Sequence, residues 1–387
     1  DGKGIKSLKG IEYFTSLYNL LCRNNQLTAL NISNNIALRW LYCSNNMLTA
    51  LDISNNTVLT ELDCSCNQLT VLDASKNTIL QELDCCINQL TNLNVSKNSV
   101  LTKLNCSFNQ LTNLNIANSI ALTELYCGEN QLTTLDTSNN IALTKLHCGS
   151  DSSDNSCGNQ LRTLDTSNNI ALTELYCSCN QLTTLNITKN IALTKLHCGG
   201  NQLTSLDISN NIALTELHCG SNDYQEYGGN QLRNLDISNN TGLIWLNCSN
   251  NQLTTLDISK NSVLTILECS DNQLTTLDAS KNLVLTELYC VSNPLLELKL
   301  NSQTYDKLQL YSSNLHGYNV DFSNLQNVIK IKVGTAKDDS DIFLIKVIDI
   351  TKPANYKVNG KDFTIIYVNE TILPTPVPPY KPGVESY

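Results

Sequence analysis

The sequence predicts a repeat solenoid built on a parallel β-sheet, with little helix. A 21-residue unit, seen at 122–142 as LTELYCGENQLTTLDTSNNIA, recurs along most of the 387 residues. A fixed period of this length means that each unit buries its apolar face against its neighbours. One cysteine position marks thirteen copies, and two of the gaps are 29 residues long instead of 21: Cys22, Cys43, Cys64, Cys85, Cys106, Cys127, Cys148, Cys177, Cys198, Cys219, Cys248, Cys269 and Cys290.

Each unit contains two similar halves, L-x-C-x-x-N-Q-L and L-D-x-S-x-N. Both halves alternate as strands do, and neither has room for a full helix. We therefore expect a parallel sheet on one side and short strands or extended turns on the other. The two asparagine columns run from Asn25 to Asn293 and from Asn35 to Asn282, and Ser119 is the one gap. Their side chains should bond backbone groups at the turns and form two ladders.

The repeated cysteines are interpreted as buried small hydrophobic residues, mostly free thiols. Stacked neighbours would lie about 4.8 Å apart, which is wider than the Cβ separation of about 3.5–4.5 Å that disulfides favour. A column facing an apolar core also offers no closed metal cage. Cys66, Cys86, Cys157 and Cys179 stand apart from the column. As a hypothesis, Cys157 and Cys179 form a disulfide that pins the first insertion.

Composition excludes some partners. Charged residues make up 16% of the chain, and the net charge is -10. An acidic surface repels phosphate, so we expect no nucleic acid and no anionic membrane surface as partner. No apolar run reaches the length of a membrane span. We expect a monomer without membrane insertion, whose secretory signal peptide has been removed, since the chain starts at Asp1.

Four segments are expected. Residues 1–18 read as an N-terminal capping repeat, and 19–315 as the solenoid, with eight-residue insertions near 150–158 and 221–229. Residues 316–373 read as a C-terminal β cap, or alternatively as an independent small β module, with a hairpin across Asn359-Gly360. Residues 374–387 read as a stiff proline-rich linker that leads to a further part of the native chain.

The repeat resembles a leucine-rich repeat. L-x-x-L-x-C-x-x-N-x-L matches the pattern of that family, and L-x-x-L-D-x-S resembles the nested 21-residue class of bacterial surface proteins. Residues 4–14, GIKSLKGIEYF, resemble the first repeats of internalin-like proteins. The resemblance implies a right-handed leucine-rich-repeat solenoid that binds proteins or glycans, and it leaves the ligand open. Cysteine in place of leucine is the departure from the family pattern.

The candidate binding site lies where the repeat varies. The residue before each cysteine should point outward, and five consecutive repeats supply tyrosine or histidine there. Exposed aromatic side chains are typical binding anchors, although stacked rings could equally serve to stabilise the sheet. The two insertions leave the repeat at one register and would bracket this run. The predicted ligand-binding residues are Tyr126, His147, Tyr176, His197, His218, Trp245, Tyr224 and Tyr227.

Other patterns favour structure over chemistry. The alternation of Glu124, Lys145, Glu174, Lys195 and Glu216 fits cross-strand attraction. His197 and His218 could make a two-histidine metal site, whereas the acidic first insertion lacks the spacing of a calcium loop. No nucleophile elbow, phosphate loop or HExxH motif is present. The sequence therefore predicts a non-enzymatic, cofactor-free binding or adhesion protein at the cell surface or outside the cell. The alternatives are a structural spacer and a carbohydrate-active enzyme.

Overall fold

The computed structural model describes residues 1–150, 158–221, 229–290 and 292–294, and after them the backbone of separate strands up to residue 369. The chain divides into two compact units. The first contains Asp1–Ala213, and the second begins at Leu214. The predicted loop tyrosines Tyr224 and Tyr227, the insertion cysteine Cys157 and the linker 374–387 lie outside the described residues.

The first unit is a parallel β-solenoid, as predicted. Nine three-residue strands form its sheet, one for each cysteine. In sheet order they are β1 (Asn19–Leu21), β2 (Trp40–Tyr42), β3 (Glu61–Asp63), β5 (Glu82–Asp84), β7 (Lys103–Asn105), β8 (Glu124–Tyr126), β9 (Lys145–His147), β10 (Glu174–Tyr176) and β11 (Lys195–His197). The second halves of the repeats are mostly extended turns, but β4 (Val71–Asp73) pairs in parallel with β6 (Asn92–Asn94).

The N-terminal segment is joined to the first repeat by backbone and side-chain hydrogen bonds. It contains a short 3-10 helix, Ile11–Tyr13. The Asn25 Oδ1 atom accepts hydrogen bonds from the backbone N–H groups of Lys3 and Ile5. The Gln26 N–H donates to the Ile5 carbonyl. The first asparagine of the ladder therefore bonds this segment in the way that later asparagines bond the preceding repeat.

The second unit continues the same pattern. Its cysteine-bearing strands are β12 (Glu216–His218), β13 (Trp245–Asn247), β14 (Ile266–Glu268) and β16 (Glu287–Tyr289). The sheet continues through β18 (Lys307–Tyr311) and β20 (Val328–Gly334), against which β21 (Ile345–Val347) runs antiparallel. A second sheet contains β15 (Thr276–Asp278), β17 (Glu297–Lys299) and β19 (Asn319–Asp321). The predicted hairpin strands pair as β22 (Asp349–Val358) and β23 (Lys361–Asn369).

Leucine and cysteine fill the core of every described repeat. In the repeat around β8, Leu122, Leu125, Cys127 and Leu132 are fully buried. The ladder thiols are free, as predicted, at Cys22, Cys43, Cys64, Cys85, Cys106, Cys127, Cys177, Cys219, Cys248 and Cys269. Burial raises the pKa of these thiols, to about 12 at Cys106. Because the thiolate is the reactive form, the ladder cysteines are inert packing residues.

Two asparagine ladders join the repeats, as predicted. In the first ladder, the Asn67 Nδ2 group donates to the carbonyls of Cys43, Cys64 and Ser65, each at 3.1 Å. Its Oδ1 atom accepts from the Leu48 N–H at 3.0 Å. Each ladder asparagine thus closes its own turn and also bonds the preceding repeat. These bonds satisfy buried backbone groups that water cannot reach.

The second ladder has a feature that its sequence pattern does not reveal. Its amide nitrogens donate to the preceding repeat, but the Oδ1 atoms of Asn77 and Asn98 are buried without a partner among the described residues. Where threonine replaces the usual apolar neighbour, the acceptor is satisfied. The Thr166 hydroxyl donates to Asn190 Oδ1 at 2.8 Å, and the Thr137 hydroxyl donates to Asn169 Oδ1 at the same distance.

Both insertions leave the solenoid at the turn that follows the cysteine. In repeats without an insertion, this turn holds a residue at positive φ, for example Cys66, Ile87 or Phe108. Where an insertion departs, glycines bring neighbouring turns together. A Cβ atom at Gly149 would lie 2.3 Å from the Ser178 backbone nitrogen, and one at Gly229 would lie 1.9 Å from the Asn250 carbonyl oxygen. Only glycine fits such an approach, so the insertions start and end at fixed points.

Candidate functional site

The central feature of the first unit's sheet face is a column of rings on β8 to β11. In each strand the middle leucine is buried and the flanking residues are half-buried and face outward. The strands pair in register, so Tyr126 lies beside His147, His147 beside Tyr176, and Tyr176 beside His197. The ring centroids are 4.6, 4.0 and 4.0 Å apart, and His147 is nearly parallel to Tyr176. The structure therefore places four of the predicted site residues in one stack.

The rings of the stack cover one another and do not stand free in water. The His147 side chain is only 15% exposed, because the ring on each neighbouring strand covers one of its faces. Ring pairs of this geometry contribute about 0.5–1.5 kcal/mol each beyond the burial of their area. The column therefore stabilises the sheet, and it presents ring edges to solvent instead of open ring faces, while the His147 Nε2 atom is buried.

A row of alternating charges runs beside the stack. Glu124 lies 3.7 Å from Lys103 and 3.5 Å from Lys145, and Lys145 lies 4.0 Å from Glu174. The predicted cross-strand attraction is confirmed at these pairs. The two rows are also connected, because the His147 Nε2 atom lies 3.7 Å from a Glu174 oxygen. The site is thus a narrow band of ring edges bordered by fixed charges of both signs.

The second unit has a smaller group of the same kind. His218 and Trp245 meet edge to face with centroids 4.4 Å apart. The His218 Nε2 atom lies 3.5 Å from a Glu216 oxygen, and the Trp245 indole donates to Glu268 at 2.8 Å. His197 and His218 belong to different units, so the two-histidine metal hypothesis stays a prediction.

A row of exposed isoleucines was missed in the sequence. Five consecutive repeats place isoleucine directly after the second-ladder position, and these side chains are 58–65% exposed: Ile120, Ile141, Ile170, Ile191 and Ile212. Most other repeats have threonine or serine there, as at Thr57, Thr78 and Ser99, whereas Ile36 and Leu283 occupy it in two. The recurring apolar residue outside the leucine pattern was the signal that could have revealed this surface.

Together, the parallel three-residue strands, the leucine core and the asparagine ladders define a leucine-rich-repeat solenoid with a column of cysteines. In the part of the chain that the structure describes, no helix is long and apolar enough to cross a membrane.

Solved structures identify the family. The functional domain of InlJ from Listeria monocytogenes, which includes a cysteine ladder, is 32% identical to this chain. The match covers 81% of this chain and 74% of that one, with a TM-score of 0.66. The chain therefore belongs to the internalin-like leucine-rich-repeat proteins of bacteria, as its resemblance predicted.

Two further structures share the fold. The internalin InlF of Listeria monocytogenes is 24% identical, over 76% of this chain and 80% of that one, with a TM-score of 0.58. A leucine-rich-repeat protein of Leptospira interrogans is 21% identical, over 84% and 90%, with a TM-score of 0.62. No protein-family model and no curated protein sequence matches the chain.

Proposed function

We propose that this chain is a monomeric, non-enzymatic binding protein that acts on the bacterial surface or outside the cell. It recognises a segment of another protein on the sheet face over β8 to β11. The single observation that carries this proposal is the uninterrupted stack from Tyr126 to His197, with ring centroids 4.0–4.6 Å apart. Membership of the internalin-like proteins supports a binding role over a catalytic one.

The stack suits a protein segment for two reasons. Tyrosine anchors many protein interfaces, because its rigid ring supplies contact area and its hydroxyl supplies a hydrogen bond. The ion-paired row of Glu124, Lys145 and Glu174 offers both signs of charge close to the rings. Fixed charges of this kind select among partners more than they add affinity. A partner strand lying across the repeats would meet ring edges and charges in a regular order.

The second unit is included in the proposal through His218 and Trp245. Like the main stack, they bring aromatic rings on neighbouring strands into contact. Tyr224 and Tyr227 belong to the proposed site as well, although they lie outside the described residues. The proposed domain division keeps residues 1–18 and 316–373 as caps and 374–387 as a linker.

The test is a binding screen against host-matrix proteins and glycans, run on the intact chain. The variant under test combines His147→Ala, Tyr176→Ala and His197→Ala. The matched control combines Ile141→Ala, Ile170→Ala and Ile191→Ala, which removes three exposed side chains from a different surface. We expect a protein ligand whose affinity falls at least about tenfold in the ring variant alone. Equal binding by the ring variant would refute the proposed site, and a glycan as the only ligand would refute the proposed partner class.

A structural spacer is the second candidate. The observation that favours it is the 15% exposure of the His147 side chain, since a ring covered on both faces already has a structural role. In that case the ring variant loses stability, by about 0.5–1.5 kcal/mol for each broken ring pair, while no ligand in the screen depends on it. Binding by the same variants separates the two candidates, because the ring variant loses stability in both cases and loses affinity only if the stack binds a ligand.

A further inference from the structure

We propose a second binding site at the N-terminal end of the sheet, which takes an acidic and partly apolar segment of a partner protein. The N-terminal patch consists of Tyr18, Leu21, Arg39 and Trp40. These residues precede and form β1 and β2, far in sequence from the stack on β8 to β11. The inference does not depend on the function proposed for that stack.

The side chains of the N-terminal patch are exposed to solvent, whereas the rings of the central stack cover one another. Tyr18 is 49% exposed and Trp40 is 36% exposed. Their rings meet edge to face at 5.8 Å and 72°, which leaves ring faces available for contact. Leu21 is 51% exposed and lies beside Tyr42 in the strand register. β1 is the terminal strand of its sheet, so Leu21 has a neighbouring strand on one side only. An aromatic pair beside an exposed leucine is a ready apolar contact surface.

The N-terminal patch carries a positive charge that a ligand can reach. The Arg39 guanidinium lies 5.6 Å from the Tyr18 ring centroid. Arg39 is exposed, and no carboxylate lies within ion-pair distance of it among the described residues. Arg23 differs, because it stacks on Tyr42 at 4.1 Å and pairs with Asp63 at 3.1 Å. Arg39 is therefore the cation that a ligand can reach.

The charge of the surrounding sequence points the same way. Residues 1–40 contain five basic and two acidic side chains, whereas the whole chain contains 25 basic and 35 acidic ones. The N-terminal end is thus a positive region on an acidic protein. Such a charge distribution steers an acidic partner towards this end and away from the rest of the molecule.

The combination of side chains selects a protein segment. Tryptophan, tyrosine and arginine are the residues most enriched among interface hot spots. An acidic side chain on the partner would pair with Arg39, and an adjacent aliphatic or aromatic side chain would cover Leu21 and Trp40. A sulfated polysaccharide would satisfy Arg39 but has no apolar group for the exposed leucine. The observations therefore favour an acidic and apolar peptide over an anionic glycan.

The experiment uses the full chain and a displayed library of random peptides of about 12 residues, long enough for an extended recognition segment. Peptides are selected on the unaltered chain and counter-selected on a chain carrying Arg39→Glu and Trp40→Ala. We expect the enriched peptides to combine aspartate or glutamate with an aromatic or aliphatic residue. Enrichment of basic peptides, or no enrichment over the variant, would overturn the proposal.

The best peptide is then synthesised, and its affinity is measured by fluorescence anisotropy. Arg39→Glu should weaken binding at least about tenfold, and replacing the peptide's acid by lysine should restore it on that variant. Arg39→Gln should give an intermediate loss, and Ile141→Ala, which removes an exposed side chain from a different surface, should leave binding unchanged. Affinity should also fall as salt is added. Heparin binding that depends on Arg39 while peptide binding does not would assign the patch to a polysaccharide and refute this inference.

Discussion

Replacing one ladder asparagine tests the central claim about what holds the solenoid together. Asn67→Ala removes the three carbonyl contacts of the Nδ2 group, which share its two hydrogens, and one bond accepted by Oδ1. At a net contribution of about 1 kcal/mol for each N–H that loses its bond, the free energy of unfolding should fall by about 3 kcal/mol. The buried Leu48 N–H is left without its partner, whereas the Cys43 and Cys64 carbonyls each keep one bond, from Asn46 and Asn88. The loss is a large fraction of the stability of an ordinary domain.

The measurement is urea unfolding followed by tryptophan fluorescence. The chain has two tryptophans, Trp40 in the first unit and Trp245 in the second. A Trp245→Phe background makes Trp40 the only reporter, and its strand leads into Cys43, whose carbonyl bonds Asn67. The control is Asn55→Ala, because Asn55 is exposed and donates one hydrogen bond, to the Ser33 carbonyl. We expect the control to lose less than about 0.5 kcal/mol.

A third variant, Asn67→Asp, tests whether the amide hydrogens of Asn67 are required. Asn67→Asp keeps the acceptor for Leu48 but sets a carboxylate against three carbonyl oxygens. At neutral pH it should destabilise the chain at least as much as alanine does, because a buried charge without a donor is costly. The reasoning fails if Asn67→Ala costs less than about 1 kcal/mol, or if aspartate proves as stable as asparagine.

Three further predictions follow from single residues. Ser119→Asn should raise the free energy of unfolding by about 1–2 kcal/mol in the same assay, because it restores the two donated bonds missing at the one gap in the second ladder; unchanged stability would contradict this. Iodoacetamide at mildly alkaline pH should label the half-buried Cys66 but leave Cys106 unlabelled until the chain unfolds, as peptide mass mapping would reveal. Desolvation, and then the hydrogen bond to Glu61, raises the pKa of Tyr42 to about 12 in the folded state. Since an unfolded tyrosine titrates near 10, stability should fall as pH rises from about 10 to 12. That fall should be smaller in Tyr42→Phe, and equal slopes would refute the assignment.

Much of the fold could be predicted because the same physical demand recurs in every repeat. Leu125 and Cys127 keep their spacing through thirteen copies, and Asn130 keeps its spacing from the cysteine in all but the two copies with insertions, so one interpretation of the pattern fixes every strand and ladder. The direction in which His147 points also followed from strand alternation. How far its neighbours cover it did not, because alternation gives the side of the sheet and not the conformation of adjacent rings.

Features that depend on a single residue could not be predicted from the repeat pattern. The contact between Tyr18 and Trp40 joins a segment outside the repeat pattern to the second strand, and no periodicity connects them. The bond from the Thr166 hydroxyl to Asn190 required knowing that the asparagine oxygen is otherwise unsatisfied. Ile87 and Phe108 occupy a turn position at positive φ that asparagine fills in other repeats. Their side chains give no hint of that conformation, since β-branched and aromatic residues rarely adopt it.

The asparagine ladder gives the molecule a direction. Asn67 bonds Leu48 and Cys43 of the repeat before it, and Asn46 in turn bonds Leu27 and Cys22. The hydrogen bonds of each repeat are therefore complete only when the following repeat is in place. A chain emerging from the ribosome or from an export channel would carry one incomplete turn at its growing end, while every turn behind it was already closed. The chain can fold one repeat at a time as it is synthesised. At any moment, unsatisfied backbone groups would then be confined to about one repeat.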